Sequence, residues 1–335
     1  MNEASSKFVD KLAMEKLISE KLAKVRHSPD DSFFKKDEIS LNCIDDLQLE
    51  KSQIKLVDIV NGISHFQIPS FYKQPHYLEN NLINIYYYPS DNPQCNILLL
   101  HGLFDDNMAN YLFLIKQLNE LNFNIYFMVL PYHFERRPEG SFFGGEYFFS
   151  ADLFRTRNAF KQTVLDIEAS MQFIGYHNSM PKRILGFSMG GCAAFRYYLL
   201  KKSLIKTFLL NPVTEFKKLA WDNNLLLTVG RDLDESLMSR DEVLKILAEI
   251  DPCENIGPDF KVDNLTMVYS IYDQVIEKVK YDAFINKIGI KNAIEYSSGH
   301  LNVLRVPRLS RDIFKFLNND ESIHNSDKNK DVSNV

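Results

Sequence analysis

A serine flanked by glycines follows a short apolar run near the middle of the chain, where residues 182–191 read KRILGFSMGG. An apolar strand followed by small residues that suit a helix places Ser188 on a sharp turn between the two. Larger side chains two residues to either side would collide there, and Gly186 and Gly190 remove those clashes. A helix that begins at such a turn points its backbone N–H groups towards the serine. The pattern favours Ser188 as a nucleophile over a chance glycine-rich turn.

An aspartate and a histidine follow at positions that suit the rest of a nucleophilic site. Asp273 comes after the strand-like run 265–271 and before a helical segment at 274–288, so we expect it at the carboxyl end of a strand. His300 follows a glycine between the last strand and the last helix, in a tight loop that lets its imidazole reach Ser188 as general base. A buried carboxylate fixes the histidine tautomer and stabilises the imidazolium. The alternative role for Asp273 is a helix N-cap.

The elements that position these residues alternate regularly from about residue 83 onwards, where short β-rich runs are separated by segments of helical period. Several runs are apolar throughout, as in ILLL and IYFMVL, which is typical of strands buried on both faces of a parallel sheet. The clearest helices span about 152–175 and 107–121. This alternation predicts an α/β fold. The predicted strands are 83–88, 96–101, 124–130, 182–187, 205–210, 265–271 and 293–296.

Together these features resemble the α/β-hydrolase superfamily over about residues 83–318. The resemblance depends on GFSMGG, on ILLLHGLFDD after an early strand, on an aspartate after a late strand and on Gly-His near the end. The superfamily places its triad in the order Ser, Asp or Glu, His, which Ser188, Asp273 and His300 obey. The resemblance implies a mostly parallel central sheet of about eight strands flanked by helices.

The acidic member of the triad has rivals in the sequence. Three other aspartates lie between the nucleophile and the histidine and are alternative candidates for the acid. Some superfamily members carry the acid one strand earlier, which makes a glutamate a further candidate. These rivals of Asp273 are Asp251, Asp259, Asp263 and Glu215. The other histidines lack the strand, Gly-His and helix setting of His300.

The resemblance also assigns an oxyanion hole. The strand in NILLLHGLFDD ends where superfamily members place one donor, so the backbone N–H groups of Leu103 and Met189 are the implied pair. His101 is expected to brace this turn by hydrogen bonds. Asp105 and Asp106 are expected to cap a helix and face solvent.

Two further segments suggest where a substrate binds. The long loop 130–146 carries His133 and Arg136, which either form a substrate wall that grips an anionic group or lie in a surface loop with ion-paired arginines, and we favour the second. By the same resemblance, residues 215–260 would be a helical cap, where Trp221 and the leucines at 225–227 either line an acyl pocket or form the inner face of the cap.

The ends of the chain lie outside the α/β pattern. Residues 1–82 are predicted to form an N-terminal extension with a leading helix and strands at 54–60 and 64–68, which would extend the sheet, cover the cap or form a homodimer interface. The apolar residues of the leading helix include Phe8, Val9 and Leu12. Its lysines suggest a membrane surface, and interspersed glutamates weaken that interpretation. Residues 319–335 are polar and are predicted to be a disordered tail.

Composition excludes several classes of protein. The 335 residues carry a formal charge of −5, so no positive excess favours nucleic acid as a partner. The four cysteines are dispersed without metal-ligand spacing, which predicts no metal site and a reducing compartment. The apolar runs are far shorter than the roughly 20 residues of a membrane span, and the expected location is the cytoplasm. No cofactor is implied.

The sequence therefore predicts a serine hydrolase that cleaves a small-molecule carboxylic ester through an acyl-enzyme. The same triad would also serve a thioesterase, a peptidase or an acyltransferase, because a fold does not fix its substrate. A non-catalytic ligand-binding homologue is the alternative from another class.

Overall fold

Nine strands form one sheet at the centre of the computed structural model, which describes residues 2–29, 33–202, 204–217, 219–254, 256 and 260–318. A strand lies at each of the nine β-rich runs of the sequence. The strands are β1 (Lys55–Val60), β2 (Ile63–Pro69), β3 (Leu82–Tyr88), β4 (Cys95–Leu100), β5 (Phe123–Met128), β6 (Lys182–Phe187), β7 (Thr207–Leu210), β8 (Leu265–Ser270) and β9 (Asn292–Tyr296).

The sheet is mixed but mostly parallel, with the order β1-β2-β3-β5-β4-β6-β7-β8-β9. The three pairs that join β1, β2, β3 and β5 are antiparallel, and the five pairs from β5 to β9 are parallel. Because parallel strands end at the same edge, the loops after β4, β6 and β8 come together there. This brings residues far apart in the sequence to one site.

Helices cover both faces of the sheet. Strands β4, β5 and β8 are buried along their whole length, which explains their apolar composition. The helices are α1 (Glu3–Glu20), α2 (Phe33–Lys36), α3 (Leu112–Glu120), α4 (Leu153–His177), α5 (Met189–Leu200), α6 (Leu219–Asp222), α7 (Leu227–Asp234), α8 (Arg240–Ala248), α9 (Lys278–Ile288) and α10 (Pro307–Asn318). The predicted α/β architecture is confirmed, with one strand more than the eight that the resemblance implied.

The N-terminal residues contribute to both the sheet and its carboxyl edge. Strands β1 and β2 extend the sheet beyond β3, which is one of the three roles expected for residues 1–82. Helix α1 instead lies near the turns Asn224–Leu226 and Asn302–Arg305. The first twenty residues therefore pack against segments that follow β7 and β9. The predicted tail at 319–335 lies outside the described residues.

The insertion between β7 and β8 is helical, as its sequence suggested. It contains α6, α7 and α8, and α8 begins with a capping box in which Ser239 and Glu242 bond each other's backbone N–H groups. Helix α8 packs against α4. The role of residues 215–260 as a cap stays a prediction.

Candidate active site

The turn between β6 and α5 holds Ser188 in a strained backbone conformation. Its φ of 52° and ψ of −114° lie where side chains are rarely found, and Ser188 is the N-cap of α5. A Cβ atom on Gly186 would collide with the backbone oxygen of Gly190, and one on Gly190 would lie 2.5 Å from the backbone oxygen of His101. Glycine is therefore required at both positions for this turn to close.

Ser188, His300 and Asp273 form a continuous hydrogen-bonded chain. The Oγ of Ser188 lies 3.0 Å from Nε2 of His300, and Nδ1 of His300 lies 2.7 Å from Oδ2 of Asp273. All three residues are buried, with at most 7% of their surface exposed. This arrangement orients the imidazole between an acceptor of its Nδ1 proton and the serine hydroxyl.

Asp273 uses its two oxygens for different tasks. Its Oδ1 accepts hydrogen bonds from the backbone N–H groups of Val275 and Ile276, at 2.7 and 2.8 Å. Its Oδ2 accepts from His300 and from the hydroxyl of Tyr281, which lies at 2.7 Å. One oxygen thus stabilises the turn that precedes α9 while the other bonds the histidine. The N-cap of α9 is Glu277, so the alternative role of Asp273 as a helix N-cap is wrong.

The electrostatic surroundings of His300 favour its protonated form. Burial lowers the pKa of the imidazole, but the charge and the hydrogen bond of Asp273 raise it, and the charges of Asp10 and Asp105 raise it further. The pKa of His300 lies above the ordinary value of histidine as a net result. The site therefore stabilises an imidazolium, which general base catalysis must form.

The rival acids bond other groups. Asp251 accepts from the backbone N–H groups of Phe216, Lys217 and Cys253, Glu215 pairs with Lys280, and Asp263 pairs with Lys291. None of these three carboxylates bonds His300 among the residues that the structure describes. Asp259 lies outside the described residues.

The two implied oxyanion donors lie beside Ser188 on one cavity. Leu103 and Met189 both line it, and Met189 is the first residue of α5, where backbone N–H groups have no acceptor within the helix. The turn that carries Leu103 is fixed by Tyr111, whose hydroxyl accepts from Gly102 N and donates to Asp105.

His101 braces the same region. It is fully buried, its Nε2 accepts from the backbone N–H of Leu130 at 3.0 Å, and its ring stacks on Phe127 and Phe134. Burial holds the pKa of His101 well below the ordinary value, so the ring stays neutral.

The cavity at Ser188 has a volume of about 110 Å³. Helix α1 contributes Met14 and Leu17 to its wall, and the insertion contributes Leu225 and Leu226. The two leucines belong to the run that the sequence suggested for an acyl pocket. The wall is therefore largely apolar and is closed in part by the first helix of the chain.

The substrate-binding role suggested for the loop after β5 requires correction. His133 and Arg136 are fully buried, and neither lines the cavity at Ser188. Arg136 forms a buried ion pair with Asp166 at 2.7 Å and donates to the backbone oxygens of Asn80 and Val129. It holds the loop after β5 against α4, and its guanidinium is buried away from the cavity at Ser188, where no substrate reaches it.

Trp221 requires a similar correction. Its indole N–H donates to Asp234 at 2.9 Å, and the guanidinium of Arg240 lies 4.5 Å from its ring centre. Trp221 does not line the cavity. It packs within the insertion, which was the alternative interpretation.

Sequence reasoning missed Asp10, whose carboxylate lies on the cavity beside the His300 loop. The only sequence signal is an acid among apolar residues of α1, and that pattern fits a solvent-facing position equally well. Tyr281 was missed too, because its role depends on the fold of the loop before α9.

The described residues lack two features. They contain no cluster of three His, Cys, Asp or Glu side chains arranged to hold a metal ion. None of the described helices is both long enough and apolar enough to cross a lipid bilayer.

No protein-family model and no curated protein matches the sequence. Solved structures do match. An acetyl xylan esterase from Paenibacillus sp. R4 superposes with a TM-score of 0.60 at 14% identity, over 91% of this chain and 98% of that one. Acetyl xylan esterase 1 from Thermoanaerobacterium sp. JW/SL YS485 gives 0.57 at 17%, over 87% and 95%. An esterase from Pyrococcus furiosus gives 0.51 at 14%, over 88% and 97%. With its mostly parallel sheet and flanking helices, the chain has the α/β-hydrolase fold.

Proposed function

We propose that this protein is a serine hydrolase that cleaves a carboxylic ester with a small acyl group through an acyl-enzyme. The observation that carries the proposal is the hydrogen-bonded chain from Ser188 through His300 to Asp273, which opens on an apolar cavity. The similarity to solved esterases supports it at the level of the fold.

The reaction begins when Oγ of Ser188 attacks the ester carbonyl and Nε2 of His300 takes the hydroxyl proton. Negative charge moves to the carbonyl oxygen, where the N–H groups of Leu103 and Met189 stabilise it. When the intermediate collapses, the C–O bond to the alcohol breaks and His300 gives its proton to the departing oxygen. Asp273 stabilises the imidazolium throughout. Water, deprotonated by His300, then hydrolyses the acyl-enzyme and restores Ser188.

The cavity favours a small, uncharged acyl group. Its volume of about 110 Å³ is well below the roughly 300 to 1,000 Å³ of most ligand pockets. Its charged lining groups are the acids Asp10 and Asp105, and no Lys or Arg lines it among the described residues. Acids at the site repel anionic substrates, so a neutral ester fits better than a thioester carried on a phosphorylated group. We assign α1 and residues 215–260 the role of closing this cavity.

A fluorophosphonate probe tests the nucleophile. Wild type should react at one serine, and Ser188→Ala should be unlabelled while its far-UV circular dichroism stays unchanged. A folded wild type that stays unlabelled would instead support the non-catalytic binding module, and equal labelling of the variant would move the nucleophile elsewhere.

A series of esters with acyl chains of increasing length tests the substrate. p-Nitrophenyl esters of two to eight carbons should be hydrolysed with kcat/KM highest for acetate. Activity on thioesters or peptides alone, with no ester turnover, would contradict the ester proposal and favour a thioesterase or peptidase. Preferential transfer of the acyl group to an added alcohol would indicate an acyltransferase.

A further inference from the structure

A second carboxylate lies against the loop of the catalytic histidine. Asp10, in α1, is fully buried, and its Oδ2 accepts from the backbone N–H of His300 at 2.6 Å and from that of Gln274 at 3.3 Å. Its Oδ1 accepts from the backbone N–H of Leu301 at 3.2 Å. One side chain thus joins the loop after β8, which carries Asp273, to the loop after β9.

Gly299 provides independent evidence that the Asp10 carboxylate lies very close to the backbone of the His300 loop. A Cβ atom at position 299 would lie 2.6 Å from Oδ2 of Asp10 and 2.9 Å from its carboxyl carbon, closer than real Cβ atoms come. The glycine before His300 is therefore explained by the space that the Asp10 carboxylate occupies. A side chain there would displace either α1 or the histidine loop.

A carboxylate at position 10 is energetically costly, because it is buried. Burial raises the pKa of Asp10, which measures the cost of removing a carboxylate from water, while His300 and the backbone N–H groups lower it. A small apolar residue would fill the space at lower cost, but it would remove the acceptor of three backbone N–H groups, of which that of His300 is buried. The carboxylate satisfies all three and orders two loops at once.

We propose that Asp10 is a positioning residue, which fixes the loops of His300 and Asp273 relative to each other so that the N-terminal helix completes the active site. This inference rests on the proposed role of Ser188, His300 and Asp273. Asp10 acts through the backbone of His300 and takes no part in proton transfer itself.

The electrostatic consequence separates positioning from simple structural support. The ionisable groups that face His300 are Asp273 after β8, Asp10 on α1 and Asp105 after β4, and the hydroxyl of Tyr281 on α9 bonds Asp273. Each carboxylate raises the pKa of the imidazole. Removing the charge of Asp10 should therefore lower that pKa and move the acid limb of the pH profile to lower pH.

The kinetic experiment compares Asp10→Asn with Glu15→Gln, which removes an exposed charge from the same helix. In Asp10→Asn, kcat should fall on the order of 100-fold, as small displacements of catalytic groups do, and the acid limb of kcat/KM should move down by about 1 pH unit. Glu15→Gln should behave like wild type. An Asp10→Asn variant with the kcat and pH profile of Glu15→Gln would overturn the proposal.

A titration by NMR gives a readout that needs no catalysis. In protein labelled with 13C-histidine, the His300 signal is the one absent from His300→Asn. Its pKa should fall by about 1 unit in Asp10→Asn and stay unchanged in Glu15→Gln. An unchanged pKa in Asp10→Asn overturns the inference. A failure of the proposed function is recognised separately, because wild type is then unlabelled by the fluorophosphonate.

If Asp10→Asn does not fold, Gly299→Ala carries the test. This variant keeps the carboxylate and its charge but places a methyl group against it, so kcat should fall at least tenfold while KM changes less. Wild-type kcat in a folded Gly299→Ala would overturn the proposal.

Discussion

The hydroxyl of Tyr281 donates a hydrogen bond of 2.7 Å to Oδ2 of Asp273, the oxygen that also accepts from Nδ1 of His300. Burial and the charge of Asp273 raise the pKa of Tyr281 well above its ordinary value, so the phenol keeps its proton and remains a donor. The Asp273 carboxylate thus has four donors, two on each oxygen. Its orientation is fixed from α9 as well as from its own loop.

Tyr281→Phe should destabilise the protein and weaken catalysis modestly. It removes a buried hydrogen bond to a charged group, which costs about 2 kcal/mol of unfolding free energy. We expect a drop of about tenfold or less in kcat/KM, since His300 keeps its own bond to Asp273. Urea denaturation and ester kinetics measure the two effects, and unchanged stability would show that the bond contributes nothing.

Asp273→Asn should lower kcat by ~10⁴-fold, because the amide favours the wrong imidazole tautomer. The matched control is Glu215→Gln, which removes a rival acid that pairs with Lys280. That variant should keep wild-type kcat. Steady-state kinetics on p-nitrophenyl acetate decide between them, and the reverse result would assign the acid to Glu215.

Met14→Ala should broaden the acyl range. Met14 is buried in α1 and lines the cavity, so its truncation makes room for a longer chain. Butanoate has two more methylenes than acetate, and burying each contributes about 0.8 kcal/mol. If both become buried, the ratio of kcat/KM for butanoate to that for acetate should rise roughly 15-fold. The control is Leu12→Ala, on the exposed side of the same helix. An unchanged ratio in Met14→Ala would place the acyl group elsewhere.

The acid limb of the kcat/KM pH profile should lie at a higher pH than the pKa of a free histidine would give. His300 must be neutral to act as base, and Asp273, Asp10 and Asp105 raise its pKa despite burial. As pH falls through this raised pKa, the imidazole takes up a proton and kcat/KM declines. Both ester hydrolysis and the rate of fluorophosphonate labelling report this limb. A limb below about pH 6.5 would contradict the assignment.

Much of the sheet could be predicted from local composition. Strands such as β4 and β8 are buried on both faces, so their apolar runs are visible without knowledge of their neighbours. Ser188 could be predicted for a similar reason, because the steric needs of its turn are met by glycines within two residues.

Residues that depend on distant partners could not be predicted. The apolar residues Phe8, Val9 and Leu12 of α1 are exposed, while Asp10 and Met14 are buried. Burial of this helix is decided by loops that follow β7 and β9, and no local pattern encodes them.

The loop after β5 illustrates the same limit. Arg136 looked available to a substrate because an arginine in a loop usually faces solvent. Its carboxylate partner, Asp166, lies 30 residues later on α4. Only the fold reveals that the pair is buried.

The contact between Asp10 and His300 joins residues 290 positions apart. During synthesis the turn that carries Ser188 leaves the ribosome well before the loop that carries His300. If domains fold as they emerge, at about 5 to 20 residues per second, the nascent chain passes many seconds with a serine that has no partner. Under the proposed mechanism, a chain truncated before residue 300 lacks the acceptor of the Ser188 proton as well as the backbone N–H that Asp10 bonds, and we expect it to be inert towards esters.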